Sequence, residues 1–161
     1  MNTPANPKYK ILVVDDDLDL NTTFALLLEF DGHEVQTAYT GEAALKLLAQ
    51  GHFDLIIAEY WLPMMKGTEL AALVKERWPD LPFIMVTANT AELDTDDHPM
   101  TGVDCLLDKP FSMNQLREAM NWALNRHAQK WQSGLEPHWV HGNQHESPDK
   151  PQDAPSNCND F

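Results

Sequence analysis

The chain has 161 residues, 43% of them hydrophobic, and a formal net charge of −14. That length suffices for one domain of ordinary size with some excess. The acidic balance argues against a nucleic-acid surface, which needs clustered Lys and Arg, and against docking on anionic lipid.

Residues 1–7 carry no periodic pattern and are expected to be disordered, and MNTPANPKYK has no apolar leader core. The first strand is expected at YKILVV, residues 9–14, a short β-branched run suited to burial on both faces. Residues 18–30 follow as a helix with Leu20, Phe24, Leu27 and Leu28 as its apolar stripe, stopped by Asp31-Gly32. EVQTA, residues 34–38, is a weaker strand, and Thr40 is the N-cap of a helix that buries Ala43, Ala44, Leu47 and Leu48 and ends at Gly51. FDLIIA is the third strand. Residues 66–77 form a helix with Leu70, Leu73 and Val74 inward, ended by Trp78-Pro79. PFIMVTA and VDCLL supply two more strands. Residues 112–127 form the last helix, with Ser112 as N-cap and a stripe of Met113, Leu116, Met120 and Leu124.

Two stretches are poor in pattern. Between Ala88 and Gly102 three aspartates and Pro99 leave mainly Leu93 and Met100 to bury, so the fourth helix is expected to be short or irregular. Residues 129–161 are rich in Pro, Gly, Asn and Gln and read as a disordered acidic tail, beyond a domain spanning 8–128. Within the tail, Trp131, Leu135, Trp139 and Val140 make one short apolar motif. No apolar run approaches the ~20 residues of a membrane span. Cys105 and Cys158 are far apart and read as reduced thiols of a cytoplasmic protein.

Five strands alternating with helices specify an α/β fold with a parallel sheet covered on both faces. In such sheets ligands sit beyond the carboxyl ends of the strands. Those ends carry Asp15, Asp16 and Asp17, then Glu59, then Thr87, then Lys109. Two like charges ~4 Å apart repel by about 4 kcal/mol at an effective dielectric of ~20. The rim therefore needs a shared proton, a cation such as Mg²⁺, or separation of the carboxylates in solvent, with Lys109 able to neutralise another part of it. Asp17 and Asp19 have a simpler use, at the N-terminus of the first helix.

ILVVDDD, DLIIAEYWLPMMKGTEL, FIMVTA and DKPF together resemble the receiver domain of bacterial two-component response regulators over residues 8–127. The resemblance implies a flavodoxin-like (βα)5 three-layer sandwich with strand order 2-1-3-4-5. It implies a non-enzymatic signalling module that receives phosphoryl from a sensor histidine kinase or a histidine phosphotransfer protein. Asp15, Asp16 and the Trp61 carbonyl match the Mg²⁺ ligands, together with the acceptor position. Thr87 and Lys109 match the phosphoryl contacts, Gly67 a turn glycine, and Pro110 a proline after a cis bond. The family's output face, formed by helix 4, strand 5 and helix 5, is a candidate homodimer surface.

Two positions depart from that pattern. The phosphoacceptor position, four residues before Pro63, holds Glu59 instead of aspartate, and the aromatic switch position holds Leu106. Glutamate reaches about 1.5 Å further but carries one negative charge, against roughly 1.5–2 on a phosphate. The leading expectation is a single-domain atypical response regulator in which Glu59 pairs with Lys109, with weakened Mg²⁺ binding. It would contact a downstream target protein and would not bind DNA or a membrane directly. A second reading keeps phosphorylation, either on Glu59 itself or with Glu59 introduced for aspartate as a phosphomimetic. A third, a small Mg²⁺-dependent phosphatase, lacks the expected aspartate nucleophile and cap.

Overall fold

The computed structural model describes residues 7–88 and 100–133. Of the segments expected to be disordered or irregular, 1–7, 88–102 and 129–161, residues 1–6, 89–99 and 134–161 lie outside the described residues. Strands β1 (Lys10–Val14), β2 (Glu34–Ala38), β3 (Leu55–Glu59), β6 (Phe83–Thr87) and β7 (Cys105–Asp108) form one five-stranded sheet. Its order is β2-β1-β3-β6-β7 and all four pairings are parallel. Counting the sheet strands alone, this is the expected order 2-1-3-4-5. Helices α1 (Leu18–Phe30), α2 (Gly41–Gln50), α3 (Gly67–Arg77) and α4 (Met113–Ser133) connect or follow the strands.

Two apolar layers hold the helices to the sheet. One joins Leu12, Val14, Ile56, Phe83 and Met85 to Leu48, Leu70 and Val74 of α2 and α3. The other joins Ile11, Val13, Ile57, Ile84 and Leu107 to Leu28 of α1 and to Leu116 and Met120 of α4. Alternate residues of each strand thus serve opposite faces, which is why the strands are near-continuous apolar runs.

Helix ends follow the sequence signals. Asp17 caps α1, its Oδ1 accepting from the amides of Asp19 and Leu20 at 3.0 Å each. Thr40 caps α2 through Oγ1. Before α4, Ser112 and Gln115 exchange side-chain to backbone hydrogen bonds in a capping box. Gly32 ends α1 with φ +93°, a left-handed conformation that costs glycine little.

Several expectations are corrected. Leu20 and Leu27 of α1 are 40% and 38% exposed, and a polar residue, Asn21, is fully buried in the helix. The Asn21 amide nitrogen donates to the carbonyls of Asp15 and Ala38, both at 2.8 Å, so it ties the ends of β1 and β2 to the helix. The last helix runs to Ser133, past the expected residue 127; Ala128, Gln129 and Lys130 are good helix formers, and no breaker precedes Gly134. A two-residue antiparallel hairpin, β4 (Trp61–Leu62) and β5 (Met65–Lys66), sits between β3 and α3. Its strands are too short for a period-2 signal. Cys105 is disulfide-bonded, against the expectation of reduced thiols, and its partner lies outside the described residues.

Candidate functional site

The carboxyl ends of β1, β3, β6 and β7 deliver the chemistry to one rim. Asp15 directly follows β1 and is buried, with its Oδ1 accepting from the amide of Asp17 at 2.9 Å. Glu59 is the last residue of β3, the strand paired on both edges, and is 9% exposed. Thr87 ends β6 and is fully buried. The Lys109 amide donates to the Thr87 carbonyl at 2.7 Å, which carries the lysine one step past the end of β7. The Lys109–Pro110 bond is cis, as the resemblance implied.

Lys109 closes the rim. Its Nζ lies 2.6 Å from Oε2 of Glu59 and 3.1 Å from Oδ2 of Asp15. The other Glu59 oxygen, Oε1, accepts from the amide of Tyr60 at 2.8 Å and, at longer range, from that of Trp61 at 3.4 Å. Both oxygens of the longer carboxylate are therefore engaged, one by an ammonium and one by its own following backbone. Burial acts to lower the pKa of Lys109. The hydrogen bond and charge of Glu59, followed by those of Asp15, outweigh it, so the pKa is raised. One cation faces two buried carboxylates, leaving the cluster one formal negative charge.

Close packing beneath Glu59 fixes the strand end. The Gly67 amide donates to the Tyr60 carbonyl at 2.7 Å, and a Cβ at Gly67 would lie 2.7 Å from the Glu59 carbonyl oxygen. Only glycine lets α3 start this near the rim.

The other expected site residues are placed differently. Asp16 is exposed, beside the rim. Trp61, in β4, is 49% exposed and forms an edge-to-face pair with the buried Tyr60. The Lys66 ammonium lies 5.4 Å from the Trp61 ring centroid. Leu106 is half-buried in β7 and packs on the layer shared with α2 and α3. The hard oxygen donors of Asp15 and Asp16 suit Mg²⁺. Among the described residues, however, no three His, Cys, Asp or Glu side chains are gathered for a metal, and Lys109 already holds Asp15 and Glu59. The sequence reading missed Asn21, whose amide holds the backbone of Asp15; a polar residue inside an apolar stripe was the available signal.

This sheet order, with an acid pair after the first strand and a lysine after the last, defines a doubly wound α/β module whose polar groups gather at the carboxyl ends of the strands. The family model described as "Response regulator receiver domain" matches residues 11–121. The chain belongs to the response regulator receiver domain family. Response regulator SaeR of Staphylococcus epidermidis is 35% identical over 106 residues, covering 66% of this chain and 46% of that protein. SaeR of Staphylococcus aureus is 32% identical over 116 residues, covering 72% of this chain and 50% of that protein. The chain thus spans about half the length of the curated relatives it matches. Among solved structures, the chemotaxis response regulator CheY4 of Vibrio cholerae superposes with TM-score 0.67 at 28% identity, covering 73% of this chain and all of that one. TrrA of Thermotoga maritima, solved with Mg²⁺-BeF, gives 0.65 at 30% identity, covering 72% of this chain and 99% of that one.

Proposed function

We propose that this chain is an atypical receiver in which Glu59, at the phosphoacceptor position, takes the place of a transferred phosphoryl group and biases the domain toward one output state. The observation that carries this reading is the Lys109 ammonium at 2.6 Å from Glu59 and 3.1 Å from Asp15. A receiver lysine that would meet an incoming phosphoryl group is already committed to an internal carboxylate. The module, over residues 8–128, signals by contact with a target protein in the cytoplasm and performs no turnover of its own. Thr87 and Lys109 are its phosphoryl-contact positions and Leu106 its switch position. The face around β7 and α4 is its contact surface, including for a second copy. Asp15, Asp16, Glu59 and the Trp61 carbonyl form its Mg²⁺ site. The ion would neutralise carboxylate charge there, in competition with Lys109 for Asp15 and Glu59.

The test uses intact mass after incubation with acetyl phosphate or a competent histidine kinase. The unsubstituted protein stays unmodified, and Glu59→Asp gains one phosphoryl group. Stoichiometric phosphorylation of the unsubstituted protein at Glu59 would overturn the proposal in favour of a phosphorylation-competent receiver. Pulldown of partners should also separate the two: Glu59→Ala loses the target contact that the unsubstituted protein makes. A thiol titration without reductant reports whether the Cys105 bond persists in protein taken from the cytoplasm.

A further inference from the structure

Helix α1 turns Phe24 and Leu28 toward the sheet, and Asn21 stands on the same face, three residues before Phe24. An apolar residue there would complete the stripe. Asn21 is instead fully buried with both amide hydrogens in use, on the carbonyls of Asp15 and Ala38 at 2.8 Å each. Its own Oδ1 is buried without a hydrogen-bond partner among the described residues. A buried acceptor left unpaired opposes folding, so the position keeps the two donors in spite of that cost.

Those donors act on the rim. The Asp15 amide donates to the Ala38 carbonyl at 3.1 Å, so with Asn21 on its carbonyl both backbone groups of Asp15 are held. The Asp17 amide holds the Asp15 Oδ1 at 2.9 Å. Oδ2 is left to meet Lys109 Nζ at 3.1 Å. One turn along α1, the Phe24 ring stacks on Phe111, with centroids 5.5 Å apart and planes 18° apart. Phe111 is two residues past Lys109 in the chain. Arg117 Nε and Nη2 donate to Asp31 Oδ2 and Oδ1 at 2.6 and 2.8 Å, which fastens the far end of α1 to α4. We propose that α1 clamps the rim: Asn21 and Phe24 are positioning residues that set the Asp15 carboxylate against the Lys109 ammonium. Asn21 acts through the backbone of Asp15, and Phe24 acts through Phe111 and the chain leading back to Lys109. The inference deepens the reading of the rim as the working site and rests on it. The clamp sets how firmly two carboxylates retain Lys109, and so how readily a cation displaces it.

Amine acylation followed by peptide mass spectrometry tests this on the full chain, in buffer free of divalent cations. Lys109 and Lys75 are 19% and 18% exposed, and each ammonium is held by carboxylate. Lys75, on α3 across the sheet from α1, is therefore the internal reference. Asn21→Leu fills the stripe and removes the donors. It should acylate at Lys109 about tenfold faster than the unsubstituted protein, with Lys75 changed by less than about twofold. Asn21→Gln keeps the amide and should fall between the two. Phe24→Leu removes the stacked ring at little change in volume and should also speed Lys109 selectively, which keeps the test decisive if Asn21→Leu does not fold. A Lys109 rate within about twofold of the unsubstituted protein in the folded variants overturns the inference, and so does equal acceleration of Lys75, the mark of general loosening. Phosphorylation of the unsubstituted protein at Glu59 would overturn the reading of Glu59 without altering either rate, so the two failures are distinguishable.

Discussion

Two lysines at opposite ends of the sheet are buried to nearly the same degree and do different things. At the amino end, Lys75 of α3 donates to Asp104 Oδ2 at 2.6 Å and to the Leu81 carbonyl at 2.7 Å. The same Asp104 oxygen accepts from the Phe83 amide at 2.8 Å. At the carboxyl end, Lys109 serves two carboxylates, Glu59 and Asp15. Among the described residues the first arrangement balances one cation with one anion and adds neutral backbone partners, whereas the second leaves an excess negative charge. A balanced, hydrogen-bonded pair fastens a helix to a sheet. An excess of carboxylate over ammonium favours a further cation, and that difference supports the role proposed for the carboxyl end.

Substitutions at the two ends should separate the two roles. The largest effect is expected at the amino end. Asp104→Ala deprives both Lys75 and the Phe83 amide of a buried acceptor, and should cost about 3–4 kcal/mol in urea unfolding, with no change on adding Mg²⁺. Lys109→Met leaves Asp15 and Glu59 facing each other without their shared cation, and should cost about 1–3 kcal/mol. Here 10 mM Mg²⁺ should recover part of the loss, because the freed carboxylates can take the ion instead. If Mg²⁺ acts equally on both variants, the contrast between the two ends fails.

Gly67→Ala probes the same rim without altering charge. The added Cβ meets the backbone of Glu59 and Tyr60 at 2.7 and 3.0 Å, which cannot yield as the Met85 Cε at 3.2 Å can. A loss of about 1–2 kcal/mol is expected, with a change in Trp61 fluorescence as the strand end shifts.

The smallest expected effect involves pH. His33 is buried and its Nδ1 accepts from the Tyr9 amide at 3.3 Å, which requires a neutral ring. Burial lowers its pKa, and the charge of Asp31 opposes that only in part. The unfolded chain therefore binds the proton more readily. The stability contributed by neutral His33 is fully present above the ordinary pKa of about 6.5 and is lost as pH falls below it. His33→Gln should flatten the dependence of the urea midpoint on pH between 7 and 5. An unchanged slope would mean that another group titrates.

Much of the fold was legible because its signals are local. Buried parallel strands read as short apolar runs, and Asp17, Thr40 and Ser112 announce their helices through hydrogen bonds made within three residues. The rim residues were legible as well, since each stands at a strand end and the connectivity brings those ends together. The burial of His33 was not legible, and Asn21 left only the signal of a polar residue inside an apolar stripe, which does not name its partners. Each polar side chain is stabilised inside by partners distant in sequence, Ala38 for Asn21 and Tyr9 for His33, and hydrophobic periodicity carries no trace of such partners. The apolar residues of α1 misled for the converse reason. Four candidates share the helical spacing, and the sheet decides which side of the helix it covers.

By itself the sequence determined the strand and helix order, the acids and lysine of the rim, and a glutamate where an aspartate was expected. Tertiary structure decided what that glutamate does. Glu59 and Lys109 are fifty residues apart, and no local rule brings an ammonium onto one carboxylate oxygen while the backbone of Tyr60 and Trp61 takes the other. Parallel pairing of β3, β6 and β7 sets that distance, and burial within the rim gives the resulting ion cluster its strength.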